Sequence, residues 1–232
     1  MTLEEKLNCS FGVLHVTEQH QNTVRGLLSR IKKVDTNMYS HAVRVGLVAS
    51  DSLLYMRMSS FDDARSGLFA GLLHESWRLS TIPNINKEEA ILDVLKCHKL
   101  FYTADLLYYA DIYQIGEIPK EMPISGINLQ INKGENQEFV LKRYYERQQM
   151  ISIALMIADE ADILAISSKR PTRHEVLKNL KEKFPEHKEK ISHMYFYGQL
   201  IPMDIYDNPY PDVEILKDHF AIHLARISRK SL

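Results

Sequence analysis

The sequence predicts an all-α protein, a bundle of about eight to ten helices. Apolar residues recur with the spacing of one helix face, as in TVRGLLSRIKKV, where Val24, Leu27 and Ile31 align. Residue types that favour helix N-termini precede several such segments. Residues 115–137 carry two prolines and three glycines and lack a helical period. We expect them to form a long loop, with a short strand at 127–131.

Half of the predicted helices have a local start or stop signal. Ser40 and Asn86 are candidate N-caps, and Glu89 follows Asn86 by three residues, as in a capping box. A serine pair and early aspartates begin the third segment, and Pro171 ends the long one, which is one helix or two in succession. The predicted helices are 23–34, 39–58, 59–77, 81–100 with a break at Pro83, 103–114, 138–168, 173–184 and 212–228.

Composition and charge narrow the classes of function. The chain has 232 residues, 45% of them apolar, which is enough for one buried core, and its formal net charge is -1. This balance argues against a nucleic-acid-binding surface. The two cysteines, Cys9 and Cys97, are far apart and are interpreted as reduced thiols. Because residues 1–20 lack a signal-peptide layout and no stretch reaches about 18–20 apolar residues, we expect a soluble cytoplasmic protein without a membrane partner.

Residue types that commonly bind metal ions occur at three places in or beside predicted apolar helices. They are His41, the pair His74–Glu75, and the aspartates Asp159 and Asp162, which share one helix face. Imidazole and carboxylate groups together suit Mn, Fe or Zn, and such an ion can activate water and polarise a phosphoryl oxygen. Taken singly, each place is more typical of a hydrogen-bonded core histidine or a solvated helix face.

The same residues occur in an ordered series of short motifs between about residue 24 and residue 184. His41, Arg44 and Val45 match H-x-x-R-V, and AGLLHESWRLSTIP keeps the Leu-Leu-His and Ile-Pro of A-x-L-L-H-D-x-G-K-x-x-I-P. KEEAILDVLKCHKL places His98 where a further histidine is expected. ADEADIL and SSKRPTR match A-D-x-x-D-A-L-x-S-x-R-P-Y-R with two residues inserted. In this series the chain resembles the HD-domain metal-dependent phosphohydrolases, and among them the HD-GYP branch.

The resemblance implies a bundle of about five core helices around a divalent metal ion, which could be Mn, Fe, Mg or Zn. It implies His41, His74, Glu75 and Asp159 as direct ligands. His98 would be a ligand of a second metal or a phosphate contact. The ungapped motif favours Asp159 as the aspartate ligand, whereas a one-residue gap would favour Asp162.

The resemblance also implies an activity, the hydrolysis of a nucleotide or other small phosphoester by metal-activated water. Arg78 stands where the family has a lysine, and Arg44 or Lys169–Arg170 could also neutralise phosphate charge. The residues implied to carry the chemistry are therefore Glu75, Arg78, Arg44 and Arg170.

Three departures support an alternative. Glu75 replaces the family's aspartate, Arg78 replaces its lysine, and the segment H-H-E-x-x-D-G-x-G-Y-P is missing. In addition, Trp77 stands where the family has a glycine. Trp77 would either narrow the pocket or anchor its turn in the core. The alternative is a degenerate signalling or scaffolding module that binds a nucleotide or a protein partner without hydrolysis.

The extent of the resemblance suggests a division of the chain. Residues 23–184 would form the HD-like domain, 1–22 an N-terminal extension, and 185–232 a C-terminal helical extension packed on the same domain. Within the last part, the aromatic and proline-rich residues 194–212 are expected to wrap the surface. The Tyr- and Met-rich C-terminal third is a candidate interface for a homo-oligomer.

Overall fold

The computed structural model describes residues 2–55, 60–119, 137–166 and 171–196, and all regular elements in these ranges are helical. The prediction of an all-α bundle is confirmed, with ten α-helices in the described ranges. Two 3₁₀ turns, Ser76–Leu79 and Pro185–His187, join neighbouring helices. The helices are α1 (Leu3–Val13), α2 (Glu18–Val34), α3 (Thr36–Tyr55), α4 (Phe61–Leu73), α5 (Lys87–Cys97), α6 (Phe101–Tyr108), α7 (Ala110–Gln114), α8 (Gln137–Ala165), α9 (Arg173–Lys183) and α10 (Lys188–Phe196).

Helices α3, α4 and α8 form the centre of the bundle. α3 packs most extensively on α4 and next on α8, and α4 and α8 also contact each other. α1 and α2 pack on α3, α7 packs on α8, and α5 lies against α6 and the 3₁₀ turn that follows α4. One apolar core runs from Leu7 to Met194, so α1 and α10, which the sequence did not predict, contribute to it. No helix in the described ranges combines the length and apolarity needed to cross a membrane.

The crossing of α3 and α4 depends on two glycines. A Cβ atom built on Gly71 would lie 2.4 Å from the Cα atom of Gly46, so the two backbones touch there. No side chain fits between helices at this distance. His41 lies just before Gly46 on α3, and His74 lies just after Gly71 at the end of α4. The close crossing therefore brings these two histidines to the same end of the helix pair.

Side-chain caps account for the starts of α4 and α5. Ser60 and Asp63 form a reciprocal capping box at the start of α4. The prediction that Asn86 caps α5 is confirmed, since its Oδ1 accepts a hydrogen bond from the backbone N–H of Glu89 at 2.8 Å. Both starts follow from local residue types, which is why the sequence identified them.

The start of α3 differs from the prediction, which placed an N-cap at Ser40. The helix begins at Thr36, because Asp35 Oδ1 accepts hydrogen bonds from the backbone N–H groups of Asn37 and Met38 at 2.8 and 3.2 Å. Ser40 lies inside the helix and donates its hydroxyl to the Thr36 carbonyl at 3.1 Å.

Several predicted helix boundaries differ from the structure, in which, for example, α5 spans Lys87–Cys97 within the predicted segment 81–100. The segment 59–77 stops being α-helical at Leu73 and continues as a 3₁₀ turn. The segment 103–114 divides into α6 and α7 at Tyr109, whose backbone leaves the helical region with φ -99° and ψ 15°. For the segment 138–168 the sequence allows one helix or two, and its described part up to Ala165 belongs to the single helix α8 of 29 residues.

The C-terminal predictions are tested only in part. The prediction that residues 194–212 wrap the surface is wrong for Met194, which lies on α10 and is buried in the core. The predicted helix 212–228 and the predicted strand 127–131 lie outside the described residues.

Candidate metal centre

Three side chains from the central helices converge on one point. His41 comes from α3, His74 from the end of α4 and Asp159 from α8. The Nε2 atoms of His41 and His74 are 3.2 Å apart, and Asp159 Oδ1 lies 3.0 Å from the first and 3.7 Å from the second. Within the described ranges, these residues are the one group of three or more histidine, cysteine or acidic side chains arranged to hold a metal ion.

Asp162 and Arg44 orient the His41 ring. The Nδ1 atom of His41 donates to Asp162 Oδ2 at 2.8 Å. Asp162 has no exposed surface and also binds Arg44 with both carboxylate oxygens, at 2.6 Å from Nε and 3.0 Å from Nη2. A carboxylate on the far nitrogen of a histidine sets the tautomer that leaves Nε2 free for a ligand. Of the two candidate aspartates, Asp159 thus lies among the converging donors and Asp162 lies behind His41.

The backbone of α4 orients the His74 ring. Its Nδ1 atom donates to the carbonyl oxygen of Gly71 at 2.6 Å, because the last turn of a helix leaves its carbonyl groups without a helical partner. His74 is the C-cap residue of α4 and is buried. Its Nε2 atom therefore faces His41 and Asp159 from a fixed direction.

The facing Nε2 atoms require a cation between them. With both Nδ1–H groups donating elsewhere, two neutral rings would direct lone pairs at each other across 3.2 Å. Either a proton or a metal ion relieves this repulsion. Two donors that each lie about 2.1 Å from one ion are about 3.0 Å apart at 90° and about 3.4 Å apart at the tetrahedral angle. The separations of 3.0, 3.2 and 3.7 Å are close to this range, so the three side chains fit a divalent ion.

Burial and neighbouring charges shift the pKa values of the three side chains so that the centre favours a positive charge. Burial alone would lower the pKa of His41, but hydrogen bonds to Asp159 and Asp162 outweigh it and raise that pKa to about 9. Burial lowers the pKa of His74, which favours the neutral ring that a metal needs. Burial also opposes ionisation of Asp159, yet the hydrogen bond from His41 and the nearby positive charges lower its pKa. A metal ion would therefore replace the His41 proton.

Glu75 borders the centre without joining the three donors. Its Oε1 atom lies 3.5 Å from His74 Nε2, while Oε2 accepts from the indole N–H of Trp77 at 2.9 Å and from Arg78 Nε at 3.2 Å. The Arg78 guanidinium also stacks over the Trp77 ring at 4.5 Å. Trp77 is half-buried against the core and is not among the residues that line the neighbouring cavity, which favours its interpretation as an anchor of the turn.

A cavity of about 260 Å³ opens beside the centre and is lined in part by His74 and Asp159. Lys87, the first residue of α5, also lines it and contributes positive charge near Asp159. The sequence reasoning missed Lys87, although the Asn86 cap placed it at a helix start. Arg44 and Arg78, the arginines expected to contact phosphate, instead hold carboxylates.

Three further candidate residues lie away from the centre or outside the described residues. His98 ends α5, where its Nδ1 atom donates to the Val94 carbonyl at 2.8 Å, and it neither joins the three donors nor lines the cavity. Lys169 and Arg170 lie outside the described residues.

Comparisons with protein-family models, with curated proteins and with solved structures found no match to this chain. The resemblance to the HD-domain phosphohydrolases therefore stays a prediction.

Proposed function

We propose that the protein is a metal-dependent phosphohydrolase that acts on a nucleotide or other small phosphoester. The observation that carries the proposal is the convergence of two imidazole Nε2 atoms and one carboxylate oxygen within 3.7 Å, beside an open cavity. Three protein ligands with one side open to a cavity are typical of catalytic rather than structural metal sites.

In this proposal the ion is bound by His41, His74 and Asp159. Hydrogen bonds fix the orientation of the two histidine rings. Asp162 sets the tautomer of His41, and the Gly71 carbonyl sets that of His74. A bound divalent ion supplies an activated water and polarises a phosphoryl oxygen. The imidazole pair favours Mn, Fe or Zn over Mg, which prefers an all-oxygen shell.

Lys87 has the placement of a phosphate contact. It lines the same cavity as His74 and Asp159, and its charge would offset that of the phosphate as the ester bond breaks. It replaces Arg44 and Arg78 in this role, because both arginines already bind carboxylates.

One observation favours the second candidate, a module that binds a phosphorylated ligand or a partner without hydrolysis. Glu75, the residue in the place of the family's aspartate, uses Oε2 to accept from Trp77 and Arg78. If it does not ligate the ion, the centre binds metal more weakly than the resemblance implies.

Metal content and turnover of His74→Ala test both candidates, with His98→Ala as a matched control. We expect about one equivalent of Mn or Fe in the wild type and in the control, and loss of metal and of phosphoester hydrolysis in His74→Ala. Circular dichroism confirms that each variant is folded. Retention of metal by His74→Ala would contradict the site. Bound metal with no turnover of any nucleotide or phosphoester would favour the second candidate.

A further inference from the structure

A second cavity adjoins the one beside the metal centre. It has a volume of about 480 Å³, and Glu88 and Tyr108 line both cavities. The first cavity, but not the second, is lined by His74, Asp159 and Lys87. A ligand with its phosphate at the metal centre would therefore extend towards the wall formed by Glu88 and Tyr108.

That wall and its surroundings are acidic. Asp111 lines the first cavity and Glu117 the second, in addition to the shared Glu88. Across the ranges that the structure describes, none of these three carboxylates forms an ion pair, and all three are exposed to solvent. Carboxylates without partners around a cavity favour a positively charged ligand group and repel additional phosphates.

Two aromatic rings lie beside the carboxylates. Tyr108 and Tyr109 pack edge to face, with ring centroids 4.8 Å apart and an angle of 87° between their planes. Tyr108 lines both cavities and Tyr109 lines the second. The faces of tyrosine rings attract ammonium groups, and aromatic walls with nearby carboxylates recognise quaternary ammonium ligands.

We infer that the site takes the phosphomonoester of an amino or quaternary-ammonium alcohol, a substrate class narrower than that of the proposed function on which this inference rests. The phosphate lies beside His74, Asp159 and Lys87, and the cation lies against Glu88 and Tyr108. Hydrolysis forms one P–O bond from water and breaks the ester P–O bond. The alcohol leaves with a proton, and orthophosphate remains.

A pair of phosphonates that cannot be hydrolysed tests the inference by calorimetry on the Mn-loaded chain. One is trimethylammoniopropyl phosphonate, and the other is its neutral isostere, in which carbon replaces the ammonium nitrogen. If the wall recognises charge, the cationic probe binds about tenfold more tightly than the isostere. A merely apolar wall would instead favour the isostere.

Neighbouring glutamates on α5 provide the matched variants. Glu88→Gln should remove the preference for the cationic probe, whereas Glu89→Gln should keep it, because Glu89 lines neither cavity. Equal binding of the two probes to wild-type protein, or tighter binding of adenosine monophosphate than of either probe, would overturn this substrate class while leaving the proposed function intact. Absence of bound metal would overturn both.

Discussion

Replacing Gly71 with alanine should disturb both the helix crossing and the candidate metal centre. The new Cβ atom would lie 2.4 Å from Cα and 2.6 Å from N of Gly46. Carbon atoms in contact are about 3.5–4.0 Å apart, so α3 and α4 must separate by about 1 Å. Backbone atoms cannot rotate out of the way as a side chain can.

The expected cost exceeds the gain in helix propensity. Overpacking at a tight contact costs about 3 kcal/mol, whereas a glycine-to-alanine change inside a helix gains about 1 kcal/mol. The net loss of about 2 kcal/mol corresponds to a fall in Tm of about 4–8 °C for a chain of this size. A shift of about 1 Å also exceeds the roughly 0.5 Å that a metal site tolerates, so we expect at least about tenfold weaker metal binding.

Thermal unfolding and metal titration of Gly71→Ala would measure both effects. Gly26→Ala is the control, because nothing lies within 4 Å of its Cβ position on the exposed face of α2. The control should gain up to about 1 kcal/mol of stability. Gly46→Ala should fall between the two, since its Cβ atom would lie 3.0 Å from the Leu68 carbonyl oxygen. A Gly71→Ala protein with unchanged Tm and metal affinity would refute the reasoning.

Three further predictions follow from buried polar groups. Asp162→Asn should weaken metal binding by about 10- to 100-fold, measured by titration, because it removes the carboxylate that orients His41. Tyr144→Phe should lower the free energy of unfolding by about 1–2 kcal/mol in urea, because its hydroxyl donates to the buried carboxylate of Asp105. Burial raises the pKa of Asp51 from 3.8 to about 6, so the folded state disfavours its charged form. The free energy of unfolding should therefore fall by about 1–2 kcal/mol as the pH rises from 4 to 6.

Each of these predictions has a clear contrary result. Unchanged metal affinity in Asp162→Asn would mean that the His41 tautomer does not depend on that carboxylate. Tyr145→Phe is the control for Tyr144→Phe, because burial raises the pKa of Tyr145 but no hydrogen bond from its hydroxyl is seen in the described ranges. Equal stability of the two variants would show that the hydrogen bond from Tyr144 to Asp105 adds nothing. The pH dependence of stability should disappear in Asp51→Asn. If it persists in that variant, other groups cause it.

Local signals in the sequence predicted much of the bundle. The all-α class and the caps at Ser60 and Asn86 depend on residues within one or two helical turns, so they can be read without knowledge of the fold. The prediction of an N-cap at Ser40 is wrong because Asp35, one residue before α3, binds the first free N–H groups of the helix. Asp35 and Ser40 are both of residue types that cap helices. Only the backbone geometry of the folded chain shows which of them binds the free N–H groups.

The sequence by itself determined which side chains could form a metal centre, because histidine and carboxylate residues beside apolar helices are visible in the chain. Only the tertiary structure decided between Asp159 and Asp162. These residues are three positions apart on α8 and so project about 60° apart around its axis. The rotation of α8 against α3 directs Asp159 to the Nε2 atom of His41 and Asp162 to its Nδ1 atom. That rotation is set by packing between segments more than 100 residues apart, which no local pattern records.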